Sequence, residues 1–418
     1  MDTRQKFFSR NNLNYMRQAI GLAWRGYGAT SPNPMVGAVL VKGGKIIGRG
    51  WHRRAGLPHA EIEALRDAQK RGRNPRGATL YATLEPCCTH GRTPPCTAAI
   101  IAAGIKRVVI GATDPNPKHA GKGFKILQRA GIEVVGSSRR DDRTAQRAVP
   151  TKLADECAKL NEAFNHWIVH RTPFVTVKAA MTLDGKIATA SGESKWITGE
   201  RARARGMKLR QGSDAILVGI NTILNDNPSL TMRFGTPNSG SARADREIGA
   251  PKLRRIVLDS MARTPLDAKV VSDEFAALTT IVVSKHAPKN RVAALAKRVN
   301  VVTAPIQEAG RAVLCPPQRA RSIAPYQQID LRWLMRKLGA ESVTNLLVEG
   351  GGEVNASFLL GGFAQRVAFF YAPKILGGRD SRKGVAGDGA KSLADVIRLR
   401  DVEWQRLGED LLLTARTD

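Results

Sequence analysis

Apolar residues recur along the first part of the chain in patterns that alternate between strand and helix. The stretches VGAVLV and KIIGRGW flank a glycine pair at 43–44 and predict a β-hairpin. Beyond a helix that starts near His59, the pattern runs through TLYATL, CTAAIIAAG, KRVVIGA, GFKILQRAG and IEVVG. This order predicts an α/β domain, to which we assign residues 1–145.

A polar helical stretch separates this domain from a second one. LADECAKLNEAFNHWIV predicts a connecting helix within 146–171, closed off by Pro173. Strand-like segments then resume at FVTVKAAM and continue through DAILVGI, LRRIVLDS, TTIVVS, NLLVEGGG and RVAFFYAPKILGG to LLLTART. We therefore expect a second α/β domain at 172–418, with loops at 235–251 and 315–325.

The length and composition agree with two folded domains in a soluble protein. A chain of 418 residues is too long for one ordinary core, and its 42% hydrophobic and 24% charged residues are typical of a globular protein. The longest uncharged run, 26–41, contains two prolines and is too short to span a membrane. The first residues lack the apolar core of a signal peptide, so the sequence predicts a cytoplasmic location without a membrane partner.

The net charge of +30 raises the question of a nucleic-acid partner. The basic excess is spread over both halves of the chain, however, and no run of five or six consecutive basic residues occurs. Aromatic residues, which would stack on single-stranded bases, make up only 5% of the chain. Small anionic substrates or solubility account for the charge equally well.

Cysteines are concentrated in one loop, PCCTHGRTPPC at 86–96. Of the five cysteines, three lie in this loop and the other two, at 157 and 315, stand alone. Such spacing is a poor disulfide framework for a reducing compartment, so metal binding or catalysis explains the cluster better.

His59, Cys87 and Cys96 form a set of residues that suits zinc. Three protein ligands leave the fourth tetrahedral position open, as in catalytic zinc sites. Glu61 completes an H-x-E motif, and zinc deaminases use this glutamate to transfer protons while water replaces an amino group. The alternative is a closed structural site with Cys88 as fourth ligand, although neighbouring side chains in an extended segment tend to point in opposite directions.

With these motifs the chain resembles the bifunctional riboflavin-biosynthesis deaminase/reductase family, whose deaminase half carries the loop PC…G(R/K)TPPC. The resemblance runs nearly end to end. It implies a cytidine-deaminase-like fold with Zn²⁺ on His59, Cys87 and Cys96, and Glu61 as the proton-transferring acid. The chain differs from the family's usual loop at Thr89, where a histidine is common. The implied substrate contacts of this half are Asn33, His52, Arg92, Asp114 and Asn116.

The residues of the second domain by themselves indicate less chemistry. No G-x-G-x-x-G follows a strand, so a classical dinucleotide fold is not supported. VEGGGEVNASFL does place a glycine run between an apolar strand and a helix. This junction is either a phosphate cradle at a helix N-terminus or a simple tight turn, and the residues alone favour neither.

The resemblance implies more for the second domain, through VKAAMTLDGKIATASGESKWITG, GINTILNDNPSLTMR and VEGGG. It implies a dihydrofolate-reductase-like fold that uses NADPH to reduce a ribosylamino group to a ribitylamino chain. The implied NADPH contacts are Ala180, Trp196, Thr222, Asp226, Ser260, Gly351, Gly352, Glu353, Val354, Asn355, Ala356 and Ser357. The implied substrate contacts are Lys178, Ser194, Arg210, Leu230, Arg233 and Glu349. Among the arginines of ERARARGMKLR, we favour Arg210 for the substrate phosphate, since guanidinium groups bind phosphate in a bidentate manner.

The sequence thus predicts a two-step enzyme of riboflavin synthesis. The first domain would deaminate a phosphorylated ribosylamino-diaminopyrimidinone, and the second would reduce its ribosyl group to give a phosphoribitylamino-uracil. We expect a small-molecule substrate, no nucleic-acid partner and a homo-oligomer. Two alternatives remain: a zinc deaminase acting on nucleic-acid bases, and a non-catalytic zinc-stabilised nucleic-acid-binding protein. The long reductase-like half argues against both.

Overall fold

The computed structural model describes residues 10–90, 94–136, 149–232, 253–305 and 329–417. Contacts within the chain divide it into two compact units, Met1–Arg171 and Thr172–Asp418. The predicted loops at 235–251 and 315–325 lie outside the described residues. In the part that is described, none of the helices has the length and apolar character needed to cross a membrane.

The first unit is a five-stranded mixed sheet with helices packed against it, in the order β2-β1-β3-β4-β5. Its strands are β1 (Gly37–Lys42), β2 (Lys45–Trp51), β3 (Thr79–Ala82), β4 (Arg107–Ile110) and β5 (Glu133–Gly136). Its helices are α1 (Arg10–Ala23), α2 (Ala60–Lys70), α3 (Cys96–Ala102), α4 (Lys122–Arg129), α5 (Thr151–Leu160) and α6 (Glu162–His170). Strand β1 is antiparallel to β2 and β3, whereas β3, β4 and β5 are parallel.

The predicted hairpin forms between β1 and β2. Gly43 and Gly44 both have positive φ, of 57° and 73°, which is the backbone that a two-residue hairpin turn requires. Every residue of β1 from Gly37 to Val41 is buried. Burial on both faces of the sheet explains why this strand is continuously apolar instead of alternating.

The segment predicted as one connecting helix forms two helices, α5 and α6, which belong to the first unit. Asn161 lies at the break, with φ −118° and ψ 24°, and is buried. Its side chain bonds the backbone of Met35 in both directions: Oδ1 accepts from the Met35 amide over 2.7 Å, and Nδ2 donates to the Met35 carbonyl over 2.9 Å. The break therefore attaches these helices to the loop that follows Asn33.

The second unit is built on a nine-stranded sheet in the order β11-β10-β9-β8-β12-β6-β13-β16-β15, and β7 pairs with β14 in a small separate sheet. Its strands are β6 (Phe174–Thr182), β7 (Lys186–Ala188), β8 (Ala215–Gly219), β9 (Arg254–Leu258), β10 (Thr279–Ser284), β11 (Asn300–Ala304), β12 (Asn345–Val348), β13 (Arg366–Ala372), β14 (Arg382–Lys383), β15 (Leu399–Leu407) and β16 (Asp410–Thr417). Its helices are α7 (Glu200–Gln211), α8 (Ile220–Asp226), α9 (Lys269–Ser272), α10 (Lys289–Ala296), α11 (Leu331–Ala340) and α12 (Gly352–Leu360).

Both faces of this larger sheet are buried around its centre. In β8, Ala215 and Leu217 belong to one apolar cluster, and Ile216 and Val218 belong to another. In the order of the sheet, all neighbouring strands from β11 through β10, β9, β8, β12 and β6 to β13 pair in parallel. Parallel sheets of this kind carry ligand sites at the carboxyl ends of their strands. Predicted cofactor residues lie just after the carboxyl ends of β8, β9 and β12.

Candidate functional site

Three predicted zinc ligands meet in the first unit. The Nδ1 atom of His59 lies 3.5 Å from the sulfur of Cys87 and 3.4 Å from the sulfur of Cys96. One ligand atom from each of the three residues lies within 4.8 Å of the others. Zinc bonds of about 2.3 Å to sulfur and about 2.1 Å to nitrogen at tetrahedral angles would separate these atoms by about 3.6 Å. The donor set and its spacing therefore fit zinc.

Local structure explains how the three ligands converge. His59 is the N-cap residue of α2, Cys96 is the first residue of α3, and Cys87 follows β3. The backbone amide of Cys96 lies 3.3 Å from the sulfur of Cys87. A hydrogen bond from the Cys96 thiol is the main cause that lowers the pKa of Cys87 to about 4. The lowered pKa favours the thiolate form of Cys87, which is the form that binds metal.

Cys88 points away from this group. Its sulfur lies 3.6 Å from Nδ1 of His119, and Thr89 Oγ1 lies 3.5 Å from Nε2 of the same ring. Among the residues that the structure describes, the group of potential metal ligands consists of His59, Cys87 and Cys96. The alternative of a closed site with Cys88 as fourth ligand is thus not supported, and the fourth coordination position is left for water or substrate.

Glu61 lies in the first turn of α2, beside the ligand group. Its side chain is only 3% exposed, and burial raises the pKa of its carboxyl group. The Cys96 thiol and the Glu61 carboxylate are within hydrogen-bonding range of each other. A carboxyl group that is buried next to the ligands is placed to move protons at this centre.

Asn33 and His52 form a hydrogen-bonded pair next to the ligands, since the rings of His52 and His59 pack edge to face with centroids 5.2 Å apart. The Pro58 carbonyl, 3.1 Å from Nδ1 of His52, can only accept, so Nδ1 carries the proton and Nε2 accepts from the Asn33 amide over 3.2 Å. Both ring nitrogens of His52 are used within the protein. We therefore expect His52 to act on a substrate through the orientation of Asn33.

Asp114 and Asn116 shape a loop after β4. Asp114 accepts from the amide of Asn116 over 2.9 Å, and Asn116 accepts from the amide of Lys118 over 3.0 Å. Bonds from a side chain to the backbone two residues later are typical of Asp and Asn in turns. Arg92, the remaining predicted contact of this half, lies outside the described residues.

Glu85 was not predicted from the sequence, yet it holds this loop next to the predicted zinc ligands. Its carboxylate accepts from three backbone amides: Asp114 over 3.2 Å, Gly121 over 3.0 Å and Gly123 over 2.9 Å. The side chain is buried and lies two residues before Cys87. A sequence signal did exist, because an acid inside the apolar stretch TLEPC has to be paired once it is buried.

We expect Glu85→Gln to loosen this loop. An amide group has only one oxygen, so at least one of the three backbone donors would lose its acceptor, at a cost of about 1–3 kcal/mol. Hydrogen exchange at Asp114, Gly121 and Gly123 should become roughly tenfold faster or more. Glu133→Gln, a half-exposed acid on β5, is the matched control. Unchanged exchange in the Glu85 variant would contradict the expectation.

In the second unit, Lys178, Arg210 and Glu349 form a compact charged group. Arg210 binds both carboxylate oxygens of Glu349, over 2.9 and 3.0 Å, and Lys178 Nζ lies 3.5 Å from Oε2. Burial alone would raise the pKa of Glu349, but the charges of Lys178 and Arg210 hold it at about 2. The group therefore keeps one net positive charge.

Arg210 uses more of its N–H groups in hydrogen bonds within the protein than the sequence indicates. A third N–H group donates to the Thr231 carbonyl over 3.1 Å, so at most two of its five N–H groups remain for a ligand. Lys178 has three donors, and among the described residues its ion pair is with Glu349 alone, at 3.5 Å. The ammonium group of Lys178 is thus the better placed of the two cations to meet an anionic substrate.

Other predicted substrate and cofactor residues also meet. Ser194 donates to Asp226 over 3.1 Å. The side chain of Leu230 is buried, so its backbone is the part that could face a ligand. Trp196 is 65% exposed, and the Arg203 guanidinium lies 4.7 Å from its ring centroid. Arg233 lies outside the described residues.

The glycine run after β12 leads directly into α12. Gly351 is the N-cap residue, and a side chain at Gly350 would collide with Val354 of the helix, since an added Cβ would lie 2.5 Å from the Val354 Cβ. Asn355 is fully buried, with Nδ2 donating to the Gly384 carbonyl. Its Oδ1 has no partner among the described residues. The backbone N–H groups at the start of α12 suit a phosphate group, whereas the Asn355 oxygen would need a hydroxyl or amide donor from a bound nucleotide.

The remaining predicted cofactor residues are distributed over neighbouring strands. Ala180 lies in β6, Thr222 in α8 after β8, and Ser260 just after β9. The Ser260 carbonyl accepts from the amide and the hydroxyl group of Ser284. Glu353 accepts from the Ser357 hydroxyl group through its carbonyl, and Ala356 is buried.

The two halves match two known protein families. Residues 9–112 match the family described as the cytidine and deoxycytidylate deaminase zinc-binding region. Residues 173–413, more than half of the chain, match the RibD C-terminal domain. The first match covers the group formed by His59, Cys87 and Cys96, and the second match covers the charged group formed by Lys178, Arg210 and Glu349.

Full-length relatives show the same arrangement. The riboflavin biosynthesis protein RibD of Actinobacillus pleuropneumoniae is 40% identical over 97% of this chain and 96% of its own. The same protein from Escherichia coli K12 is 36% identical over 96% and 97% of the two chains. A solved structure of Acinetobacter baumannii RibD superposes with a TM-score of 0.76 at 33% identity, covering 98% of this chain and 99% of its own. A diaminohydroxyphosphoribosylaminopyrimidine deaminase/reductase from Thermotoga maritima gives 0.73 at 34% identity, covering 97% and 98%. The chain therefore belongs to the RibD family of bifunctional riboflavin biosynthesis proteins.

Proposed function

We propose that this chain carries out two successive reactions of riboflavin synthesis. The first is the hydrolytic deamination of a phosphorylated ribosylamino-diaminopyrimidinone, and the second is the NADPH-dependent reduction of its ribosyl group. The observation that carries the proposal is the meeting of His59, Cys87 and Cys96 beside a buried Glu61, in a chain whose second half matches the RibD reductase domain.

In the deaminase domain, His59, Cys87 and Cys96 would hold the zinc ion. When bound, zinc supplies a hydroxide nucleophile near neutral pH. Glu61 would pass one proton of the attacking water to the ring nitrogen and the other to the leaving amino group, so that ammonia departs as the ring carbonyl forms. Asn33, oriented by His52, would position the substrate, and Asp114, Asn116 and Arg92 would contribute further contacts.

In the reductase domain, the residues around α12 and the strand ends of β8 and β9 would hold NADPH, which supplies the hydride. Lys178, Arg210 and Glu349 would bind the ribosyl part of the substrate, together with Ser194, Leu230 and Arg233. The net positive charge of the first three residues favours a phosphorylated substrate. No side chain has to act as a nucleophile in this step, because the pocket only aligns the two reactants.

The proposal includes a small-molecule substrate, no nucleic-acid partner, and a cytoplasmic enzyme, a setting that keeps Cys87 and Cys96 reduced for zinc binding. It also includes a homo-oligomer. In support, the edge strand β15 exposes Val402 and Trp404, and Leu393 nearby is exposed as well. Exposed apolar groups of this kind often mark interfaces, and light scattering of the purified protein measures the assembly directly.

The two alternatives are less well supported. The first is a deaminase of nucleic-acid bases, and the second is a non-catalytic zinc protein that binds nucleic acid. Neither accounts for the match of residues 173–413 to the RibD C-terminal domain. Neither explains why the carboxylate of Glu349 lies between two cations.

The experiment is to incubate the purified, zinc-loaded protein with the phosphorylated pyrimidine and NADPH, and to follow ammonia and NADPH separately. Ammonia should appear without NADPH, whereas NADPH should be consumed only after deaminated product has formed. If a zinc-loaded protein releases no ammonia, or if it leaves NADPH untouched when the deaminated product is supplied, the corresponding half of the proposal is wrong.

A further inference from the structure

The segment from Asn227 to Thr231, which leaves α8, has an unusual backbone. Two of its non-glycine residues have positive φ: Asn227 at 40° and Leu230 at 52°. Side chains disfavour this left-handed region, so the surrounding structure must enforce it. Leu230 as a whole residue is 3% exposed, and its side chain packs in the apolar cluster on one face of the sheet. A contact between Leu230 and the substrate would therefore have to be made by the backbone of Leu230.

Three donors hold this segment. The Lys269 amide donates to the side chain of Asn227 over 2.9 Å, and Arg210 donates to the Thr231 carbonyl over 3.1 Å. Between these two bonds, Arg255 Nη1 donates to the Ser229 carbonyl over 2.9 Å. The carbonyls on either side of Leu230 are thus each held by an arginine.

Arg255 is itself fixed on every side. It is 1% exposed, and its guanidinium binds both carboxylate oxygens of Asp273, over 2.6 and 2.8 Å. Nε donates to Thr279 Oγ1 over 2.9 Å, and Nη2 donates to the Val270 carbonyl over 3.2 Å. A buried charge is costly unless it is fully paired, and here the pairing leaves the guanidinium one orientation.

The Ser229 carbonyl belongs to the peptide bond that also carries the Leu230 N–H. Because a trans peptide is planar, its C=O and N–H point in opposite directions. A carbonyl that points at Arg255 therefore turns the Leu230 N–H away from the buried guanidinium. At the other end of the segment, Arg210 joins the Thr231 carbonyl to Glu349, which also pairs with Lys178.

We propose that Arg255 is a positioning residue of the reductase: it sets the direction of the Leu230 backbone N–H, which donates to the phosphoribosyl substrate. The proposal rests on the reductase activity proposed above. It adds Arg255, a residue that acts on substrate binding without touching the substrate. A purely structural Arg255 would support the fold without any selective effect on substrate binding.

The test compares Arg255→Lys with Arg254→Met. Lysine keeps the charge, but its single nitrogen cannot hold Asp273 and the Ser229 carbonyl in the planar geometry of arginine. We expect the KM for the deaminated substrate to rise about tenfold or more, with kcat and the KM for NADPH nearly unchanged. Arg254 is the preceding residue of β9 and pairs with Glu341 at the surface, so Arg254→Met should leave all three constants unchanged.

Asp273→Asn is a second variant, in case Arg255→Lys does not fold. It preserves the shape of the acceptor while removing the charge that orients Arg255, and it should raise the same KM selectively. An unchanged substrate KM in the folded variants, or a parallel loss in kcat and both KM values, would overturn the positioning role. A wild-type protein that does not oxidise NADPH with deaminated substrate would instead refute the proposed reductase function, so the two failures are distinguishable.

Discussion

Glu61→Gln should abolish ammonia release while zinc stays bound. Glutamine keeps the shape of the buried side chain, but it cannot accept a proton of the attacking water or pass one to the leaving amino group. Loss of a general acid–base group lowers kcat by roughly 10²–10⁴-fold. The measurements are ammonia release under saturating substrate and the zinc content of the purified variant.

Glu63→Gln is the matched control for this variant. Glu63 lies two residues further along α2 and pairs with Arg53 and Arg66 at 3.5 and 3.2 Å. Its replacement should leave ammonia release at the wild-type rate. NADPH oxidation on deaminated substrate should be the same in both variants, because the reductase domain is unchanged. Wild-type ammonia release by Glu61→Gln would exclude the proposed proton transfer.

Lys178→Met should remove most of the reductase activity and leave the deaminase intact. The charged group would then consist of Arg210 and Glu349 alone, a neutral pair with no excess charge for a phosphorylated substrate. Losing a charged donor from such a site costs roughly 10²–10³-fold in rate. The measurement is kcat/KM for NADPH oxidation with deaminated substrate, repeated at several salt concentrations.

Lys337→Met provides the comparison for charge alone. Lys337 lies in α11 and pairs with Glu341 at 2.8 Å, so its removal changes the net charge by the same amount at a different place. Its kcat/KM should remain at the wild-type value, and so should its salt dependence. Equal activity of both variants would show that Lys178 has no specific role in the reductase.

The grouping of His59, Cys87 and Cys96 could be predicted from the sequence because each of these residues follows a local signal. His59 caps α2, Cys87 comes after a short apolar strand, and Cys96 opens α3 behind two prolines. These signals specify backbone geometry over a few residues. The glycine run that leads into α12 is of the same kind, so the strand, turn and helix there could be placed as well.

Residues that act across long sequence distances could not be predicted in this way. Glu85 and Asn161 bind the backbone of segments 29 or more residues away, and nothing in their immediate neighbourhood indicates the partner. Arg255 is similar, since its sequence neighbour Arg254 looks the same and lies at the surface. The sequence predicts Arg210 as a substrate contact, but its pairing with Glu349 appears only once β12 and α7 are folded together.

The two-way bond between Asn161 and Met35 bears on how the enzyme can be divided. The segment around Met35 also carries Asn33, a proposed substrate contact, so helices α5 and α6 would help to shape the substrate side of the deaminase. A chain shortened to the first 145 residues would lose Asn161 and both helices, and with them the partner of the Met35 backbone. We expect the smallest independently active deaminase to extend through His170, which makes the two helices part of the catalytic domain and not a spacer between two enzymes.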